Sequence, residues 1–215
     1  MSGERRKVIV VGAGGHARVV TSLLRLMSDV EVVGVADRTS STIGERIGHT
    51  KIVTTFDDLP EFLRSGVTWA ALAMGDNQER SEMLARLKGG GFSLLTAAHP
   101  AAVIEADARV GEGAVVCAGA ILCTEAVIGP GAIVNTGAIV DHESVVEECA
   151  HIAPGSCLAG RVQIGARTLV GLGSRVIPGR RIGADCVIGA GSVVVDDIPE
   201  RSVAYGVPAR IRRRV

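Results

Sequence analysis

The sequence predicts a small α/β domain followed by a parallel β-helix, on two observations. In the second half an aliphatic residue recurs every six positions, and the first half opens with an apolar strand that runs into a glycine-rich turn and a segment of helical periodicity. The composition favours the same fold, because 28 glycines supply many tight turns while aromatic residues make up only 2% of the chain. Narrow coils filled by Val, Ile and Ala need such a composition.

The six-residue repeat starts at Ile104 and continues to Val194, and its sixteen consecutive positions are all Ile, Leu or Val. The residue four places after each is nearly always small, although Arg180 interrupts this second row. Gly or Asp often precedes the small residue, as the positive φ of a tight corner requires. A flat face followed by a corner is the signature of a β-helix.

The first half contains a candidate nucleotide site. The strand Lys7–Val11 runs into Gly-x-Gly-x-x-Ala, which is the start of a Rossmann-like βαβ unit, and a second strand, Val30–Ala36, ends at an acidic residue that can bind ribose hydroxyls. An α/β part of only about 95 residues is short for a dinucleotide fold, so a mononucleotide or nucleotide-sugar ligand is favoured. The candidate binding residues are Gly12, Gly14, Gly15, His16, Asp37 and Arg38.

A third strand, Trp69–Met74, is followed by a polar segment that opens another helix. Ligands of parallel sheets sit at the carboxyl ends of the strands, near helix N-termini. Gly75, Asn77 and Arg80 are therefore expected in the same crevice as the first glycine turn, although Asn77 is also a candidate helix cap. A last short strand, Phe92–Thr96, leads to the junction, and the predicted domains are 1–97 and 98–215.

Charge and cysteine usage exclude several partners. Lys and Arg equal Asp and Glu at 23 each, so no net field favours nucleic acid or an anionic membrane. The polar start is unlike a signal peptide, and no apolar run approaches the length of a membrane span. The five cysteines form no C-x-x-C pair, so no metal site is expected and the sequence favours a cytoplasmic protein with reduced thiols.

Motifs from both halves together resemble the PglD/NeuD-type sugar O- and N-acyltransferases over nearly the whole chain. They are GAGGHARVV, MGDNQER, HPAA, NTGAIVDHE and AYGVPAR. The resemblance implies a left-handed β-helix in which three faces make one triangular coil, with about five coils between Ile104 and Pro199. It also implies a nucleotide-sugar-binding first domain, an acyltransferase second domain, and a homotrimer with acetyl-CoA between neighbouring prisms.

The resemblance also assigns the site. It implies His142 as general base and Glu143 as the carboxylate that tunes it, and both lie outside the inward phases of the repeat. It further implies a sugar pocket at His16, and a cofactor site formed by His151, Gly160, Leu172, Gly173, Ala190 and Arg210. The implied reaction is direct N-acetylation of a 4-amino sugar carried on UDP or GDP, in polysaccharide or glycan biosynthesis.

Four other functions stay open at this stage. A γ-type carbonic anhydrase uses the same β-helix but needs three histidines, and the repeat offers only His142 and His151. A nicotinamide-dependent oxidoreductase would account for the glycine turn and leave the β-helix without a role. O-acetylation of a sialic-acid-type sugar and a non-catalytic nucleotide-sugar-binding scaffold are the remaining alternatives.

Overall fold

The computed structural model describes residues 5–215, which form two compact units that divide after Pro100. The sequence placed the boundary three residues earlier, after residue 97. No helix in this part of the chain is long and apolar enough to span a bilayer, the longest having 13 residues.

The first unit is an α/β sheet. Its elements are β1 (Arg6–Val11), α1 (Gly15–Leu24), β2 (Val30–Asp37), a 3-10 turn (Ser40–Thr42), β3 (Arg46–Ile47), β4 (Thr50–Thr55), α2 (Leu59–Arg64), β5 (Trp69–Leu72), α3 (Asn77–Gly89), β6 (Ser93–Leu94) and β7 (Ala97–Ala98). The strand order is β3-β4-β2-β1-β5-β6, and every pair is parallel except β3 with β4. The last four residues of β1, Val8 to Val11, are completely buried, as expected of a central parallel strand.

This strand order creates a switch point beside β1. Strand β2 follows β1 in sequence and lies on one side of it, whereas β5 lies on the other side. The order of the sheet therefore reverses at β1, and ligands of such sheets bind outside the carboxyl ends of the strands at that place. Gly12 follows β1 there, and Gly75 follows β5 three residues after its end.

The second unit is a parallel β-helix of two-residue strands. They are β8 (Val103–Ile104), β9 (Arg109–Val110), β10 (Val115–Val116), β11 (Ile121–Leu122), β12 (Val127–Ile128), β13 (Ile133–Val134), β14 (Ile139–Val140), β15 (Val145–Val146), β16 (His151–Ile152), β17 (Cys157–Leu158), β18 (Gln163–Ile164), β19 (Leu169–Val170), β20 (Arg175–Val176), β21 (Arg181–Ile182), β22 (Val187–Ile188) and β23 (Val193–Val194). Every strand pairs with the third strand along the chain, as in Ile133 with His151 and His151 with Leu169. One coil is thus 18 residues on three faces, and an antiparallel pair, β24 (Ser202–Gly206) and β25 (Ala209–Arg214), follows.

The aliphatic row predicted from the sequence fills the interior of the coils. From Val116 to Val194 each member is at most 2% exposed. The two exceptions are Ile104, which is 37% exposed, and Val110, which is half-buried, and both belong to the first coil of the stack. The small polar residues of the second row are also buried and donate hydrogen bonds to backbone carbonyls, as Ser144 Oγ does to Ala159 O at 2.9 Å. Each such bond contributes about 1 kcal/mol to stability.

The corners of the coils share a left-handed backbone. At fourteen consecutive positions spaced by six, from Gly113 to Gly191, φ is positive. The sequence predicted this where the corner holds Gly or Asp. It did not predict it where the corner holds Glu, Cys or Arg, at Glu125, Glu143, Cys149, Arg161 and Arg167.

Candidate active site

A histidine and a glutamate occupy the corner between β14 and β15. His142 Nδ1 lies 2.9 Å from Glu143 Oε2, and the two side chains are 43% and 47% exposed. Glu143 has φ 57°, so the corner itself turns its side chain beside its neighbour's ring. Both residues lie on the outside of the prism, as the sequence predicted.

The turn that carries His142 is fixed by its predecessor. The His142 N–H donates to Asp141 Oδ1 at 2.7 Å, and Asp141 N–H donates to Leu158 O at 3.0 Å, which ties this turn to the next coil. Asp side chains commonly stabilise turns by accepting a nearby backbone N–H in this way. The motif DHE therefore contains one residue that shapes the turn and two that form the dyad.

Gly160 is in direct contact with the imidazole. A Cβ atom placed on it would lie 2.3 Å from His142 Nε2 and 2.4 Å from Cε1. Its φ lies outside the left-handed region, so the space taken by the ring, rather than backbone conformation, requires glycine here. The Glu143 carboxylate thus lies at Nδ1, while the Gly160 backbone packs against the face of the ring near Nε2 and Cε1.

This arrangement assigns the proton on the ring. A carboxylate only accepts hydrogen bonds, so Nδ1 of neutral His142 carries the proton that it shares with Glu143. Nε2 then keeps its lone pair and is the nitrogen that accepts a proton from a substrate. A histidine oriented by a carboxylate through Nδ1 is the arrangement that general-base catalysis uses in Ser-His-Asp enzymes.

A second histidine lies on another face. His151 opens β16, and its Nε2 lies 3.0 Å from Asn135 Nδ2. Asn135 Oδ1 accepts the Thr136 N–H at 2.8 Å, so the amide NH₂ faces the imidazole and donates to Nε2. Strands β14 and β16 belong to different sheets, so His142 and His151 do not share a face of one chain.

The glycine turn after β1 meets the loop after β5. Gly12 has φ 112°, and a Cβ on it would lie 3.0 Å from Met74 Cγ and 3.1 Å from the Ala73 carbonyl group. Gly14 precedes α1 and Gly15 opens it, and a Cβ on either would meet nothing within 4 Å. The first glycine therefore permits close packing, and the next two leave the helix N-terminus open, where backbone N–H groups attract phosphate.

His16 is a neutral histidine at the start of α1. Burial, and then the charge of Arg80, lower its pKa from 6.5 to about 4. His16 lies beside the loop after β5, since a Cβ placed on Gly75 would be 3.8 Å from the Cβ of His16. At pH 7 the ring is therefore uncharged.

Asp37 and Arg38 lie at the carboxyl end of β2. The Asp37 carboxylate accepts hydrogen bonds from Thr42 Oγ1 at 2.6 Å and from the Arg38 N–H at 2.7 Å. Arg38 forms an exposed ion pair with Glu79 at 2.7 Å, which joins this strand end to α3. Both residues therefore lie at the sheet edge where the strand order predicts a ligand crevice. Arg38 and Glu79 also border a groove of about 360 Å³.

Arg80 contacts the loop after β5 from within the unit. Its side chain is completely buried, and Nη1 donates to the carbonyls of Met74, Gly75 and Asp76 at 3.0 to 3.2 Å. Nη2 donates to Asn77 Oδ1 at 2.7 Å. Arg80 therefore shapes the loop after β5. The cap of α3 is Asp76, which accepts the Glu79 N–H at 2.9 Å, so Asn77 is not that cap.

Comparison with known proteins gives the family. The family model of the PglD N-terminal domain matches residues 7–87. PerB from Caulobacter crescentus, solved with CoA and GDP-perosamine, is 40% identical, with a TM-score of 0.91 over 98% of each chain. The chain belongs to the PglD-type sugar acetyltransferase family. Two further Caulobacter structures of perosamine N-acetyltransferase, again with CoA and GDP-perosamine, carry a histidine replaced by Asn or Ala.

Two other relatives support this membership. The acetyltransferase domain of PglB from Neisseria gonorrhoeae, solved with acetyl coenzyme A, is 32% identical with a TM-score of 0.91, over 97% of this chain and 100% of that one. UDP-N-acetylbacillosamine N-acetyltransferase of Bacillus subtilis is 37% identical over 118 residues, and the match spans about half of that relative, 52%. The prediction of a small α/β domain followed by a left-handed β-helix is confirmed, and so is the predicted family.

The remaining predicted residues of this PglD-type chain fall into two groups. Leu172, which is 58% exposed, and Ala190 lie on one corner in successive coils, where the Gly191 N–H donates to Leu172 O at 2.8 Å, and Gly173 belongs to the same corner. Gly160 lies on a different corner, with His142. Arg210 lies on β25 and forms an exposed ion pair with Asp196 at 3.0 Å.

Sequence reasoning missed three neighbours of the two histidines. Asp141 and Asn135 both lie in the motif NTGAIVDHE, which carries the family resemblance. Asp and Asn commonly form turns, and this could have identified them as neighbours of His142 and His151. Arg161 was missed as well. Its Nη1 lies 3.7 Å from Glu143 Oε2, and the spacing of 18 residues between these two was the signal that one coil relates them.

Proposed function

We propose that this chain transfers the acetyl group of acetyl-CoA to the amino group of a nucleotide-linked 4-amino sugar, with His142 as general base. The observation that carries the proposal is the dyad, in which Glu143 holds Nδ1 at 2.9 Å and leaves Nε2 as the proton acceptor. Membership of the PglD-type family, whose relative PerB is solved with CoA and GDP-perosamine, supplies the substrate class.

The proposed reaction is direct transfer. The sugar amine attacks the thioester carbonyl carbon while Nε2 of His142 accepts one of its protons, so that a C–N bond forms and the carbonyl oxygen becomes an oxyanion. Collapse of this intermediate breaks the C–S bond, and the imidazolium returns the proton to the CoA thiolate. The products are the amide and free CoA. His151, oriented by Asn135, is in this proposal the residue beside the acetyl group.

The proposed sugar site is the crevice of the first unit. The open N-terminus of α1 at Gly14 and Gly15 binds the diphosphate, and Asp37 binds the ribose. Neutral His16 borders the sugar. Leu172, Gly173 and Ala190 line the CoA channel, and Arg210 meets the CoA phosphates. We further propose a homotrimer that acts in the cytoplasm during polysaccharide biosynthesis, as the resemblance implies.

The test is thiol release from acetyl-CoA with a panel of UDP- and dTDP-4-amino sugars and GDP-perosamine. We expect release with one amino sugar, reduced by a factor of about 10² to 10⁴ in His142→Ala, which is the usual contribution of a general base. The matched control is His49→Ala, because His49 is exposed and lies in the first unit.

Three outcomes decide the assignment. Release with one amino sugar that is lost in His142→Ala and kept in His49→Ala supports both substrate class and base. Release that survives in His142→Ala overturns the assignment of the base. No release with any amino sugar overturns N-acetylation, and the same assay with sialic acids then tests O-acetylation.

A further inference from the structure

The coil that follows the dyad brings two consecutive residues to the same corner. Gly160 lies against the His142 ring, and the Arg161 N–H donates to the His142 carbonyl oxygen at 2.9 Å. Arg161, like Glu143, has a left-handed backbone, with φ 58° and 57°. The parallel register thus fixes Arg161 directly beside the dyad, at one coil's distance.

The side chain of Arg161 also reaches the dyad. Its Nη1 lies 3.7 Å from Glu143 Oε2, the same oxygen that lies 2.9 Å from His142 Nδ1. We propose that Arg161 is a positioning residue for catalysis, which holds the Glu143 carboxylate on the ring and limits how strongly that carboxylate stabilises the imidazolium. This proposal rests on the proposed function of His142 as general base.

Other charged residues near Glu143 determine how much the positive charge of Arg161 contributes. Glu125 occupies the corner one coil before, and Asp141 belongs to the same turn, so two further carboxylates lie near Glu143 along the stack. Arg161 in the following coil opposes them. A base must be neutral to accept a proton, so we expect loss of the Arg161 cation to move the acid limb of the activity profile upward.

The expected size of the effect is small because the pair is exposed. The side chains of Arg161 and Glu143 are 65% and 47% accessible, and such pairs have modest interaction energies that salt screens. We therefore expect a shift of roughly half a pH unit, the order of a Coulomb interaction between charges several Å apart in water. A loss of catalysis by several orders of magnitude is not expected.

Arg167 provides a matched control for a purely structural corner arginine. It also has a left-handed backbone, with φ 57°, and it pairs bidentately with Asp185, Nε to Oδ1 at 2.7 Å and Nη2 to Oδ2 at 2.8 Å. Asp185 lies one coil after Arg167 and Glu143 one coil before Arg161, so both arginines pair with a carboxylate of an adjacent coil. Arg167→Gln removes a corner ion pair away from the dyad, and Arg161→Gln removes the one at the dyad.

The first measurement needs no substrate. In protein labelled at histidine, the Cε1–H signal of His142, assigned by its loss in His142→Gln, is titrated by NMR in the parent and the variants. We expect the midpoint to rise by roughly half a unit in Arg161→Gln. It should stay unchanged in Arg161→Lys and in Arg167→Gln, since the first keeps the charge and the second lies elsewhere.

The second measurement uses the acetyl transfer assay. We expect kcat to fall roughly two- to fivefold in Arg161→Gln with KM unchanged, and the acid limb of the pH profile to move upward. Arg161→Lys should restore most of kcat. An unchanged His142 midpoint in Arg161→Gln, or an equal shift in Arg167→Gln, overturns the proposal. An inactive parent overturns only the proposed function, because the titration still decides the role of Arg161.

Discussion

The side chain of His142 is exposed to more than two-fifths, yet its position is determined on three sides. Asp141 fixes its backbone, Glu143 holds Nδ1, and Gly160 limits the space beside Nε2. Each of these contacts orients the ring without occupying its basic lone pair. A misplacement of about 1 Å at such a group can cost a factor of 10² in rate, so the least conspicuous neighbour, a glycine, is worth testing.

Gly160→Ala is expected to lower kcat by about 10²-fold while the protein keeps its fold. The added methyl group would lie 2.3 Å from Nε2, and because the ring is exposed it can swing away without disturbing the core. Steady-state kinetics and thermal unfolding check both parts. The control is Gly89→Ala, since a Cβ on Gly89 meets nothing within 4 Å. A Gly160→Ala variant with parental kcat would show that the ring position is not required.

The dyad could be predicted from the sequence, but its surroundings could not. The DHE motif gives His142 and Glu143 because they are adjacent in the chain. The contacts of Gly160 and Arg161 join residues 18 apart, and they follow only from the register of successive coils. The sequence placed Arg80 near the glycine turn but did not reveal its complete burial, which four oxygen partners allow.

At the scale of the element, the hexapeptide corner imposes one backbone conformation on whichever residue occupies it. For a residue other than glycine, a left-handed backbone costs about 1–2 kcal/mol. The chain retains such residues at six of the fourteen corners. At Glu143 the strain accompanies a proposed catalytic role, and at Arg167 and Asp185 it accompanies a bidentate ion pair.

Glu125 is a strained corner with an exposed side chain, so replacing it by glycine should stabilise the β-helix. Glu125→Gly removes a left-handed glutamate with φ 58°, and we expect a gain of about 1 kcal/mol in the free energy of unfolding. Glu105→Gly is the control, because Glu105 is also exposed but has no left-handed φ, so glycine there relieves no strain and should lose up to about 0.5–1 kcal/mol. Calorimetric melting of both variants measures their change in stability. Equal losses of stability in the two variants would contradict the strain argument.

At the scale of the whole molecule, the sequence predicted the β-helix better than the α/β unit. Six-residue periodicity fixes interior and corner together, so only Ile104 and Val110 in the first coil differ from the buried row. The α/β unit depends on strand order and loop packing, which a single sequence does not encode locally. The feature of this unit that depends most on pH is His16, which lies beside the loop that Arg80 contacts and whose pKa is lowered by burial.

This histidine makes the stability of the α/β unit depend on pH. The pKa of His16 falls from 6.5 to about 4 on folding, so the unfolded chain binds its proton first as the pH drops. Above pH 6.5 both states are neutral and the group has no effect. Between pH 6.5 and 4 stability falls, by roughly 2–3 kcal/mol at about pH 4.5. Asp185, whose pKa is held below 3.8 mainly by its hydrogen bond with Arg167, loses its contribution only at lower pH.

Trp69, the one tryptophan of the chain, lies on β5 and reports unfolding of the unit that contains His16. Urea unfolding followed by its fluorescence at about pH 7 and 4.5 should show a large loss of stability in the parent. The loss should be roughly 2–3 kcal/mol smaller in His16→Asn, which cannot be protonated. His49→Asn, which removes an exposed histidine of the same unit, should behave like the parent. If His16→Asn loses as much stability as the parent between these pH values, protonation of His16 is not the cause of the acid destabilisation.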